Sequence, residues 1–108
     1  MAQGLQARAI APEGLAPRGS VRGFISDIDG WPLPRTRVVL TDIAGKEIGS
    51  AVSGREGKYE IPLEQPCERC TLTATRMGFV EQNRTFTYNG SNPLWFGFAL
   101  DRQPTQPK

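Results

Sequence analysis

A chain of 108 residues with 13 basic and 11 acidic side chains has a net charge of +2, and with its ends set aside about 80 residues remain, enough for one small domain. That charge is too small, and its arginines and lysines too scattered, to predict a nucleic-acid partner. The complete absence of histidine excludes Ser-His-Asp and Cys-His nucleophile systems, His-containing zinc sites and c-type haem attachment.

Residues 1–19 carry glycines and prolines without an apolar period and read as a flexible N-terminal linker or arm. Leu5, Ile10 and Leu15 recur there among small residues, so a segment lying along a sheet edge is the alternative to a tether. Met1 followed by Ala2-Gln3 reads as an initiator placed before a mature N-terminus, which implies a removed signal peptide. No stretch of about 18 apolar residues predicts a membrane-spanning helix.

Val21–Asp27 is the first predicted strand, with Val21, Gly23 and Ile25 on one face and Phe24 on the other. Asp27-Ile28-Asp29-Gly30 is a turn, because Asp and Gly tolerate the backbone angles of a reversal. Trp31-Pro32-Leu33-Pro34 continues it as an extended connection. Arg37–Asp42 is the second strand, with Val38 and Leu40 inward. Ala44-Gly45 turns the chain into a third strand, Glu47–Val52, expected at an edge with Ile48 and Val52 buried. Gly54–Gly57 then feeds the clearest stretch, Lys58–Leu63. Tyr59, Ile61 and Leu63 point one way there; Lys58, Glu60 and Pro62 point the other.

The connection from Glu64 to Arg69 is predicted to be a loop carrying both cysteines. Thr71–Thr75 is the fifth strand, threonines on one face, Leu72 and Ala74 on the other. Gly78 breaks it. Phe79-Val80 and Arg84–Tyr88 form a sixth strand interrupted by polar Glu81-Gln82-Asn83. Asn89–Pro93 is a turn, and Leu94–Leu100 is one last strand with Leu94, Phe96, Phe98 and Leu100 inward. Residues 102–108 read as a disordered polar tail. No segment keeps a helical period over ten residues. Short strands with turns every 8–12 residues predict an all-β sandwich or barrel.

Gly23-Phe24-Ile25-Ser26-Asp27, Asp29-Gly30-Trp31-Pro32-Leu33-Pro34, Val38-Val39-Leu40, Gly57-Lys58-Tyr59-Glu60-Ile61, Thr71-Leu72-Thr73-Ala74 and Gly78-Phe79 together resemble a carboxypeptidase regulatory-like domain over 20–101. The resemblance implies a seven-stranded antiparallel β-sandwich of the transthyretin (prealbumin-like, immunoglobulin-like Greek key) type. It implies an exported accessory module serving as spacer, folding aid or binding surface. Related transthyretin-like hydrolases depend on histidines, so that activity is not expected. Related pilin-type domains cross-link a lysine to an asparagine, but Lys46 and Lys58 sit beside turns or on outward positions.

Cys67-Glu68-Arg69-Cys70 is the sharpest local feature. A redox pair would be placed at a helix N-terminus, and a metal site would need two more soft ligands. A structural disulfide clamping the turn is the reading the sequence favours over these two alternatives. Phe24, Trp31 and Trp95 are directed away from the core by alternation, which makes them a candidate ligand or partner surface. The blander reading covers Phe24 and Trp95 with the N-terminal segment and lets Trp31 cap one end. Asp27, Asp29, Asp42 and Glu56 lie near turns and read as turn-formers rather than calcium ligands. No catalytic residue, metal or cofactor is predicted. The expectation is a non-enzymatic, exported bacterial module at the periplasm, cell envelope or outside, with a structural or protein-interaction role. The alternative is a carbohydrate-binding accessory domain.

Overall fold

The alternation of apolar and polar residues is realised as two facing sheets in the computed structural model, which describes residues 19–63, 65–88 and 93–104. Its strands are β1 (Ser20–Asp27), β2 (Arg37–Thr41), β3 (Glu47–Val52), β4 (Lys58–Pro62), β5 (Cys67–Thr75), β6 (Gln82–Tyr88), β7 (Leu94–Trp95) and β8 (Phe98–Leu100). One sheet runs β4-β1-β7, with β8 also on β1; the other runs β3-β2-β5-β6. Every second residue of a strand faces the opposite sheet. So Val21, Ile25, Tyr59, Ile61, Phe98 and Leu100 meet Val38, Leu40, Leu72 and Ala74, all buried. The predicted β-sandwich is present.

Several details differ from the sequence reading, each through a contact that alternation cannot reveal. On β3, Ile48 and Val52 are exposed rather than buried. Val38 pairs with Ala51 and Leu40 with Gly49, and the register then slips so that Thr41 pairs with Glu47. Paired residues share a face, so Ala51 and Gly49 take the inward positions. Only a small residue fits there, because a side chain on Gly49 would meet the Ile61 methyl of β4.

The cysteines lie within β5 and not in a loop. Cys67 pairs with Tyr88 and Cys70 with Phe86, so three steps on β5 oppose two on β6. This is a one-residue bulge, and it turns both cysteines inward while Glu68 and Arg69 stay exposed. The two form a disulfide with Cα atoms 5.9 Å apart. Closing so short a loop stabilises by about 2 kcal/mol in the chain-entropy model. Cys67→Ser/Cys70→Ser protein is therefore expected to remain folded and to lose about that much in urea titration; a completely unfolded variant would contradict it.

Gln82 and Asn83 belong to β6 instead of interrupting it, because Gln82 pairs with Ala74 and Asn83 with Thr73. Phe79 pairs instead with Arg102. The last predicted strand is split in two, which raises the count from seven to eight. Both pieces run parallel to β1, so the antiparallel expectation fails for these pairs alone. The split occurs where the Phe96 carbonyl accepts the Tyr59 hydroxyl at 2.7 Å. Phe96 N–H still donates to Arg22 at 2.9 Å. The carbonyl lies directly over Gly23, where a side chain would collide with it.

The side of the sandwich between β6 and β8 is closed by β6 side chains. Gln82 Nε2 donates to the Ala99 carbonyl at 2.7 Å, and the Arg84 guanidinium stands 4.8 Å from the Phe98 ring centre. Pairing continues beyond the predicted 101/102 boundary, since Gln103 N–H donates to Gly78. The predicted N-terminal arm up to residue 18, most of the 89–93 turn and the tail from 105 lie outside the described residues.

Candidate functional site

Alternation along β1 sends Arg22 and Phe24 to the outer face of its sheet. Arg22 is flanked in register by Glu60 on β4 and Trp95 on β7. Its Nη2 donates to Glu60 Oε2 at 2.9 Å and its Nε to Ser20 Oγ at 3.0 Å. Its guanidinium lies 5.5 Å from the Trp95 ring centre. Three strands thus present a row of indole, guanidinium and carboxylate, with the cation held by partners on both sides.

Phe24 pairs with Lys58 one step along, and its ring lies over Gly57, which has a φ of 82°. Phe24 and Trp95 line one shallow groove with Arg22, Glu60, Lys58 and Val52. They are 42% and 69% exposed. Of the three aromatics singled out in the sequence, the structure brings together these two. Trp31, 70% exposed, sits on the turn after β1 and does not line the groove. Arg22 and Glu60 were missed because each reads as an ordinary outward polar residue; only strand pairing puts them beside the indole.

The remaining candidates have local tasks. Asp27 Oδ1 accepts from the N–H groups of Asp29 and Trp31, both at 2.9 Å. Asp42 Oδ1 accepts from Ala44 and Lys46. These are turn-forming bonds. Glu56 pairs with Lys58 at 3.5 Å on the surface, so Lys58 points to solvent, and Lys46 is exposed too. The Cys67–Cys70 disulfide faces inward within a strand, and no helix occurs among the described residues to place at its sulfurs. Among the described residues no group of three or more potential metal-ligating side chains is found. Burial pushes the Tyr59 hydroxyl above the usual tyrosine range, with the Arg84 charge pulling weakly the other way. It therefore stays protonated as the donor to Phe96.

The family model of the carboxypeptidase regulatory-like domain matches residues 20–101. No curated protein matches the sequence. Among solved structures the chain is similar to chlorocatechol 1,2-dioxygenase from Pseudomonas putida, with a TM-score of 0.58 at 12% identity, covering 78% of this chain and 60% of that one. It is similar to the TIE protein of Bacillus anthracis at a TM-score of 0.57 and 19% identity, covering 78% of this chain and 17% of that one. A 3-chlorocatechol 1,2-dioxygenase from Rhodococcus opacus 1CP scores 0.57 at 11% identity, over 79% of this chain and 60% of that one. The chain thus spans less than two thirds of each of these proteins. At such identity the likenesses establish the fold alone.

Proposed function

We infer that this chain, which belongs to the carboxypeptidase regulatory-like domain family, serves as a non-enzymatic module exported to the cell envelope, where the outer face of β4-β1-β7 meets a protein partner. The observation that carries this reading is the row Trp95–Arg22–Glu60 beside Phe24. Trp and Arg are the side chains that most often dominate binding energy at interfaces. Here both stand on paired strands rather than loops, so little ordering entropy is lost on contact. A chain without histidine, whose acidic turn residues already accept backbone N–H groups, supports a binding role over a catalytic one.

A second reading, a carbohydrate-binding accessory domain, draws on the same exposed Trp95, since a sugar ring stacks on a flat indole. One experiment separates the two. A photo-cross-linking amino acid at position 24 is expected to give a single protein adduct in cells producing the chain. The same group at Thr85, exposed on the other sheet, is expected to give none. Equal adducts from both positions, or none from either, would overturn the partner reading. Calorimetric binding to an oligosaccharide panel that vanishes in Trp95→Ala would replace it with the second.

A further inference from the structure

The opposite sheet contributes a different surface at the end of the sandwich where β2 begins and β5 finishes. Arg35, Arg37 and Arg76 line one recess there with Met77, Phe79 and Glu81. The guanidinium groups of Arg76 and Arg102 stand 5.5 and 5.4 Å from the Phe79 ring centre. Arg37 reaches Glu47 at 3.7 Å. Arg35, Arg76 and Arg102 make no ion pair among the described residues, although Glu81 stands in the same recess. A chain of net charge +2 has therefore gathered several guanidinium groups in one place, without a lysine among them. Guanidinium forks suit oxyanions with two acceptor oxygens.

A second observation concerns the backbone. Arg35 has a φ of 58° and is the one non-glycine residue with positive φ among those described. It stands third in the turn Leu33-Pro34-Arg35-Thr36, where a left-handed residue after proline is glycine's position. Its N–H is fixed to the Ser53 carbonyl at 2.9 Å, and Ser53 Oγ donates to Leu33 at 2.6 Å. The fold thus holds a long cationic side chain at a strained position, close to Arg76 and Arg102, which stack on Phe79 but have no carboxylate partner among the described residues. Strain retained in this way points to a ligand. Met77, the third feature, is 96% exposed and adjoins Arg76. An apolar tip beside cations suits a surface that offers phosphates and, just beneath them, hydrocarbon.

We propose that this end of the sandwich docks on the phosphate headgroups of an anionic lipid bilayer, with Met77 entering the interface. The inference goes beyond the partner-binding face and does not rest on it. The test is co-sedimentation of the full chain with phosphatidylglycerol–phosphatidylcholine vesicles and with phosphatidylcholine vesicles alone. Retention is expected to be at least about tenfold greater on the anionic vesicles at low salt and to fall as salt screens the contact. Arg76→Gln and Arg102→Gln are each expected to weaken it about fivefold, and Met77→Ser to weaken it as well.

Arg35→Gly gives the sharpest readout. It relieves the backbone and is expected to raise Tm by about 4 °C, while weakening vesicle binding about fivefold. A purely structural residue does not move stability and binding in opposite directions. Should Arg35→Gly melt lower and bind less, Arg35 belongs to the fold, and Arg76→Gln and Arg102→Gln decide. Retention unchanged in those two variants, equal retention on both vesicles, or no retention would overturn the proposal. Binding to glycerol phosphate in solution without vesicle retention would likewise remove the bilayer as occupant. Phe24→Ala is expected to leave vesicle binding intact, so a failed partner interface and a failed lipid surface give different results.

Discussion

Gly23→Ala is expected to destabilise the domain by about 3–4 kcal/mol. Gly23 is buried on β1, and an added methyl would be driven into the Phe96 carbonyl. That carbonyl has no room to retreat without loss. It accepts the Tyr59 hydroxyl, and the N–H of the same residue donates to Arg22. Moving Phe96 away therefore sacrifices two hydrogen bonds, each about 1 kcal/mol, and separates β7 from β1. Urea unfolding followed by circular dichroism measures the loss. Gly45→Ala is the control, because Gly45 has a φ of 83° and open space around its Cα; backbone strain alone costs about 1 kcal/mol there. If the two variants prove equally stable, the close passage of Phe96 over β1 is wrong.

Leu72→Ala is expected to cost about 2–5 kcal/mol. Leu72 is fully buried on β5 and stands in register between Leu40 on β2 and Arg84 on β6. Truncation leaves a cavity between two sheets whose backbones are held by their own ladders, so collapse around it is limited. A domain of this size is expected near the lower end of the usual 5–15 kcal/mol range, and the variant should be largely unfolded in a few molar urea. Thr73→Ala, one residue away on the outer face, is expected to change stability by under about 0.5 kcal/mol. Similar losses from both would mean that β5 is turned over.

Where one face of a strand is apolar and the other charged, the sequence was readable. Tyr59, Ile61 and Leu63 against Lys58, Glu60 and Pro62 leave a single orientation for β4. The same holds for Val38 and Leu40 on β2. The reading failed where a register shift decides the face. Ile48 and Val52 have the right spacing to be buried, but the slip at Leu40/Thr41 gives the inward positions to Gly49 and Ala51. It failed again at the cysteines, whose shared inward direction comes from a bulge set by β6, and at Phe96, whose break depends on a tyrosine 37 residues earlier.

The candidate surface was half legible for the same reason. Outward aromatics can be named from alternation, so Phe24 and Trp95 were found. Which polar residues flank them is a fact of pairing between distant segments. The arginine recess is the extreme case. Arg35 lies between β1 and β2, Arg76 between β5 and β6, and Arg102 after β8, and nothing local to any of them predicts the others.

Both indoles already stand in water in the native protein, at 70% and 69% exposure. Intrinsic fluorescence should consequently change little on denaturation, and a melting curve recorded that way would understate the transition. The same property makes the emission useful for another purpose. A blue shift on mixing with a candidate molecule would report that something has covered Trp31 or Trp95, and a Trp31→Phe variant would tell which.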